Sequence, residues 1–150
     1  MPVELVTAPS PEVSEAINDL LPQLSASASA LNEEQINAFI AQEGVFLFVF
    51  RNDDSGEITG MLSLATFTIP TGLRAWIEDV VVSEAARGQG AGKALIDAAV
   101  AHSEKIGAKS VDLTSRPARA AANRLYVRCG FEKRETNVYR FNESNVVDSL

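Results

Sequence analysis

The segment Arg87-Gly88-Gln89-Gly90-Ala91-Gly92-Lys93 narrows most sharply what this chain can become. It follows an apolar strand-like run, Leu73 to Val82, and opens a helix-like run, Ala91 to Gly107, with Leu95, Ala99 and Ile106 on one stripe. Glycines at alternate positions let successive backbone N–H groups turn toward one point. The start of the helix adds unpaired N–H groups and the positive end of its dipole, so that point attracts an anion. Arg87 and Lys93 flank it with formal charge. A tight turn alone needs a single glycine; three glycines and two cations favour an anion site. Two familiar phosphate loops fail here. A Walker A loop needs glycine and Ser/Thr where Arg87 and Ala94 stand, and a dinucleotide fingerprint needs glycine at Lys93 or Leu95.

The rest of the chain supplies a mixed sheet around that junction. Val3 to Thr7 reads as a strand. Glu12 to Leu24 carries Val13, Ile17, Leu20 and Leu21 at helical spacing, started by Ser10 or Pro11. The Ser/Ala stretch 25–30 is a loop, and Asn32 caps a second helix with Ile36, Phe39 and Ile40, ending at Gly44. Val45 to Arg51, Glu57 to Ile69 and Leu73 to Val82 form an antiparallel meander, joined by turns at 52–56 and 70–72. After the loop-helix come a strand, Lys109 to Ser115, a helix, Ala118 to Cys129, and a closing pair of strands, Phe131 to Arg134 and Val138 to Phe141. The order is β-α-α-β-β-β-α-β-α-β-β, an α/β (α+β) mixed sheet in one domain over residues 1–150. Residues 142–150 are expected as a frayed tail.

Composition removes several functions. The longest apolar run, Val45 to Phe50, is far too short to span a membrane. The first cation is Arg51, so no signal or transit segment is expected. One cysteine, Cys129, and one histidine, His102, leave no disulfide and no metal site to expect. A small soluble, cytoplasmic domain remains. Its charge is segregated. Residues 1–50 carry seven acids and no base, whereas residues 87–134 carry ten bases against four acids. One ligand of each sign is the reading, with nucleic acid disfavoured by a pI near 4.7.

Arg87-x-x-Gly90-x-Gly92 between strand and helix resembles the acyl-CoA pyrophosphate loop of the GNAT N-acetyltransferase superfamily. Tyr126-Val127-Arg128-Cys129-Gly130-Phe131 resembles that family's Tyr-x-x-x-Gly-Phe signature. The two motifs stand in family order, and the likeness covers nearly the whole chain. The resemblance implies a GNAT fold and an N-acetyltransferase that uses acetyl-CoA as acyl donor, without a metal. It implies that the strand Val80, Val81, Val82 parts from its neighbour, Val111 to Ser115, and pairs through its backbone with the pantetheine arm. The diphosphate would lie on Arg87, Gly88, Gln89, Gly90, Ala91, Gly92 and Lys93. Arg119 stands where the family commonly has an asparagine contacting CoA, and Asn123 lies three residues before Tyr126; both join the expected cofactor set.

Acetyl transfer to an amine needs two proton movements: the amine loses one and the departing thiolate gains one. By its match to the family's tyrosine, Tyr126 is the expected acid. The position of a glutamate base found in some members holds Thr114, so Glu78 and Asp79 are the base candidates, or water relays the proton. Inside an apolar strand Glu78 shares a face with Trp76 and Val80, unless a bulge intervenes, and burial there would raise its pKa. The alternative for it is a structural ion pair with Arg74. Cys129 and His102 are read as packing residues, so transfer is direct. The acids of residues 1–50 favour a cationic amine acceptor, a small molecule or a peptide, and the chain is a monomer or a homodimer. Two other readings stand beside this one: a non-catalytic acyl-CoA-binding sensor or interaction module, and, more weakly, a nucleotide-binding protein.

Overall fold

A computed structural model describes residues 2–146. Its elements are β1 (Val3–Val6), α1 (Pro11–Leu24), α2 (Glu33–Ala41), β2 (Val45–Arg51), β3 (Ile58–Ile69), β4 (Gly72–Val82), α3 (Ala91–Lys105), β5 (Ser110–Asp112) and α4 (Ala120–Arg128). The strands form one sheet in the order β1-β2-β3-β4-β5, antiparallel except for the last pair. Short 3-10 turns at Glu84–Ala86 and Glu143–Asn145 complete the chain.

Local signals start the early helices. Ser10 Oγ accepts from Val13 N–H, and Asn32 and Gln35 bond reciprocally as a capping box. The loop between α1 and α2 is fastened by Asn18, whose amide bonds both the N–H and the C=O of Leu31. Period-two alternation then sorts the meander into two apolar faces. Phe48, Phe50, Leu62, Leu64, Ala75 and Ile77 pack with α3 through Ala91, Leu95, Ile96 and Ala99. Leu47, Val49, Met61 and Val81 pack with α1 and α2 through Val13, Ile17, Leu20 and Ile36.

Strand β4 changes face partway along. Met61 pairs with Val81 and Ser63 with Glu78, so two residues, Asp79 and Val80, stand against the single Leu62. Asp79 takes a left-handed φ of 49°, the one non-glycine residue described that does. Ahead of the bulge Ala75 and Ile77 face α3; beyond it Val80 and Val82 do, while Val81 turns to α1. The shared face expected for Glu78 and Val80 is therefore not formed.

Strand β5 is shorter than its sequence suggests. It pairs in parallel with β4 from Arg74↔Ser110 to Trp76↔Asp112 and stops, since β4 leaves the ladder toward its bulge. Helix α4 begins two residues later than expected, because Arg119 N–H first closes a turn on Arg116 C=O. The closing strand pair, 131–134 with 138–141, does not form. Residues 132–146 are exposed, and 132–141 make no backbone bond to any described residue. Of the expected tail, 142–146 include one 3-10 turn, and 147–150 lie outside the described residues.

His102 sits on α3 against the sheet, its ring centroid 4.4 Å from that of Phe46 and 5.7 Å from that of Phe48. Its buried Nε2 has no hydrogen-bond partner among the described residues. Burial, with Lys105 adding like charge, holds the imidazole below its usual 6.5.

Two outcomes follow from the bulge and the imidazole. Asp79→Val, β-branched at a left-handed position, lowers unfolding free energy by about 1–2 kcal/mol in urea titration. Asp79→Gly leaves it within about 0.5 kcal/mol. A histidine with a depressed folded pKa leaves the unfolded chain binding more protons, so stability drops as pH falls below 6.5. Urea midpoints measured between pH 7 and pH 5.5 should show this slope in the native chain and a flatter one in His102→Leu.

Candidate functional site

The loop between β4 and α3 leaves its amides open. Gly88 (φ 86°) and Gly90 (φ 75°) are both left-handed, and a Cβ at either would meet nothing within 4 Å. Gly90 is the N-cap of α3 and supplies no side chain to its first turn. Among the described residues no side chain accepts a hydrogen bond from the N–H groups of residues 88–93. A set of donors at the positive end of a fifteen-residue helix is thus without a partner among the described residues. Gln89 Oε1 accepts from Asn52 Nδ2 at 3.0 Å, tying the loop to the β2–β3 turn.

Not every member of the segment serves the cradle alike. A Cβ on Gly92 would lie 3.0 Å from Leu125 Cδ2, so this glycine is where α3 and α4 approach closely. Lys93 Nζ bonds Asp97 Oδ2 at 2.6 Å, one helical turn on, which raises the lysine pKa. Arg87 is exposed and makes no ion pair among the described residues. Ala91 is buried against the sheet and contributes only its backbone.

Beyond Trp76 the edge of β4 that faces β5 has no strand partner. The main chain of Val80 and Val82 has no strand partner on that edge, whereas Val81, in phase with Ser83 whose N–H bonds Thr59 C=O, turns its main chain to β3. A cavity of about 70 Å³ lies in the gap, lined by Leu24 of α1, by Ile77, Glu78, Asp79 and Val80 of β4, by Leu113 and Thr114 just beyond β5, by Arg119 at the start of α4 and by Tyr126 within it. Sequence reasoning drew most of these residues from separate segments. Leu113 and Thr114 belong to the segment expected to part from β4, and Leu24 closes the first expected helix; the wall use of Ile77 was missed, because its apolar character looked like core.

Tyr126 is the one buried residue of α4, 9% exposed, with its ring in the core between the sheet and Phe131. Tyr126 is thus itself a core residue. Burial pushes its phenol above the usual 10, partly opposed by the Arg119 guanidinium. It therefore holds its proton across neutral and mildly alkaline pH. Glu78 and Asp79 are both exposed, so the burial expected of Glu78 is absent. Glu78 makes no ion pair among the described residues either, and Arg74 turns instead to Thr71 Oγ1 at 2.7 Å. Asn123 Nδ2 donates to Arg116 C=O at 3.2 Å, bracing the turn before α4.

The acidic front is partly neutralised. Arg51 pairs with Glu4 and, through Nη2, with Glu12 at 2.7 Å, which holds the Glu12 carboxyl below its usual range. A larger depression of about 430 Å³ lies between the starts of α1 and α2, lined by Ser10, Ser14, Asn18 and Glu33 among others, and includes none of the expected site residues. Among the described residues no group of His, Cys, Asp and Glu is placed to hold a metal, and no helix is long and apolar enough to cross a membrane.

Comparison with known proteins agrees with this architecture. No curated protein matches the chain by sequence. Among solved structures it is similar to an acetyltransferase of Trypanosoma brucei, at 27% identity and TM-score 0.74 over 93% of this chain and 99% of that one. It is similar in fold to glucosamine-6-phosphate N-acetyltransferase of Arabidopsis thaliana, at 20% identity and TM-score 0.76 over 94% and 99%. The same holds for an aminoglycoside N-acetyltransferase solved in complex with CoA, at 15% identity and TM-score 0.78 over 94% and 93%. The profile of the acetyltransferase (GNAT) family matches residues 12–131. That match runs from the first turn of α1 to the phenylalanine packed on Tyr126, and with the sheet that parts beside an open amide cradle it makes this chain a member of the GNAT acetyltransferase family.

Proposed function

We propose that the chain transfers an acetyl group from acetyl-CoA directly to a primary amine. The observation that carries this reading is the uncapped set of amides at Gly88–Lys93 beside an unpaired stretch of β4. The cradle suits a diphosphate, and the CoA held by the aminoglycoside-acetylating relative fits the same use. Arg87, which makes no ion pair among the described residues, is the cation for it. Lys93 can join by releasing Asp97, because an exposed pair of this kind contributes little to stability. Arg119 and Asn123 stand nearer the cavity, on the acyl side of the diphosphate.

Each proton movement has a group in reach of the cavity. The acceptor nitrogen attacks the thioester carbonyl carbon, and the carbon–sulfur bond breaks. The buried Tyr126 hydroxyl, kept protonated, donates to the departing sulfur. Glu78 or Asp79, exposed on the opposite wall, takes the amine proton directly or through water. Their two carboxylates are also the negative charges that would draw a cationic amine to this spot, more directly than the distant acids of α1. Cys129 is not used: burial raises its thiol above the usual 9, the wrong direction for a nucleophile.

Calorimetric titration with CoA should give one site, and Gly90→Val should abolish it, while CoA should outcompete ATP. A flat CoA titration of the native chain overturns the donor assignment.

In a thiol-release assay over amines, peptides and amino sugars, Tyr126→Phe should lower kcat about 100-fold with CoA affinity retained. Glu78→Gln should lower kcat most at low pH, where the amine holds its proton. CoA binding without thiol release on any amine would favour the non-catalytic sensor.

A further inference from the structure

The sheet face that packs α1 and α2 is not covered to its end: Phe67 and Ile69, at the far end of β3, are 44% and 40% exposed. Between that end and the cavity, the same face sets one aromatic ring between two carboxylates. On the acetyl-transfer reading, on which this rests, we propose that the acceptor is a short diamine. Its reacting nitrogen stands at Glu78, its apolar stem lies on Trp76, and its second, charged nitrogen is held by Asp112.

Register fixes the juxtaposition. Ala75 and Ile77 of β4 pack toward α3, as do Val111 and Leu113 on either side of Asp112. Alternation therefore puts Trp76, Glu78 and Asp112 on the opposite face. Trp76 and Asp112 are partners across the parallel ladder, and Glu78 is two residues further along β4. The residues opposite Glu78 and Trp76 on β3, Ser63 and Ala65, are small. Trp76 is half-buried and belongs to neither apolar core. Glu78 is exposed, Asp112 is half-buried, and neither carboxylate has an ion pair among the described residues. Glu78 lines the site cavity, and Asp112 directly precedes Leu113 and Thr114, which line it too.

An indole between two carboxylates suits one chemistry. The ring takes a methylene stem and draws a cation to its face, and each carboxylate takes one ammonium. Glu78 and Asp112 are diagonal neighbours, so their backbones stand about 8 Å apart. A stem of about five carbons sets two nitrogens nearly that far from one another. Arg74 gives the far limit. It is the next residue of β4 on this face, opposite Phe67, and its Nη2 donates to Thr71 Oγ1 rather than to Asp112. A longer diamine would bring its second cation against that guanidinium. A monoamine or an amino sugar would leave Asp112 without a partner.

Transfer needs no further reactant. The N–C bond forms as the C–S bond breaks, and the ammonium gives up two protons, of which one ends on the CoA sulfur and one in solvent. The product keeps its charge at the Asp112 end. Turned end for end it would set a neutral amide on that carboxylate, so acetylation stops at one nitrogen.

The test is thiol release by the full chain with acetyl-CoA and, in turn, cadaverine, pentylamine, octamethylenediamine and glucosamine. Cadaverine should exceed pentylamine in kcat/KM by about 10-fold, and the longer diamine should fall below cadaverine. Asp112→Asn, nearly isosteric, should erase the preference for cadaverine over pentylamine through KM rather than kcat. Mass spectrometry of the cadaverine product should show a single acetyl group. Pentylamine or glucosamine used as well as cadaverine overturns the proposal and leaves acetyl transfer standing. A cadaverine preference that survives Asp112→Asn overturns it too, because the second nitrogen is then held elsewhere. Thiol release on no amine overturns both the diamine and the transfer.

Discussion

The site depends on one irregularity, the extra residue that β4 carries opposite Leu62. Without it, alternation would put Ile77, Asp79 and Val81 on one face, and a carboxylate would lie in the core beside α3, a costly burial. With Asp79 in a left-handed conformation, the apolar sequence returns to phase one residue later, and Val80 and Val82 rejoin the α3 face. The strand bends as it does so, leaves β5 after three paired positions, and opens the gap in which Glu78, Asp79, Arg119 and Tyr126 meet.

The groups around that gap are held to different degrees. Tyr126 is fixed by the core, packed under the sheet and against Phe131, so its hydroxyl has little freedom of position. Burial also keeps it a donor. The glycine loop is held by α3 and by the Asn52–Gln89 bond, while its amides find no partner among the described residues. An unpaired donor in the interior would be destabilising; at an exposed helix start water satisfies it, and a ligand anion can replace that water.

Much of this was legible from residue order alone, and the failures have physical causes. The caps at Ser10 and Asn32, the meander and the glycine loop are local features, fixed by residues within a few positions of one another. Strand β5 and the closing hairpin were over-read because a strand needs a partner, which lies far away in sequence. Ser110–Thr114 alternates, yet pairing with β4 ends at Asp112. Val138–Phe141 has strand composition and finds no strand partner among the described residues. The bulge was foreseen as a possibility at Glu78–Asp79, but its consequence, that Glu78 is exposed and parted from the face of Val80, required the register with β3.

The charge distribution shows the same limit. Ten bases against four acids in residues 87–134 suggested that cations would grip the anion. In the fold, the lysine nearest the loop is paired with Asp97, while Arg116 and Arg119 belong to the turn that starts α4. What remains fixed and directed at the cradle is the backbone: N–H groups of two left-handed glycines and the first turn of α3. Main-chain dipoles do not titrate and need no side-chain ordering on binding, so a grip built on them holds its geometry across pH and leaves the side-chain cations to adjust to it.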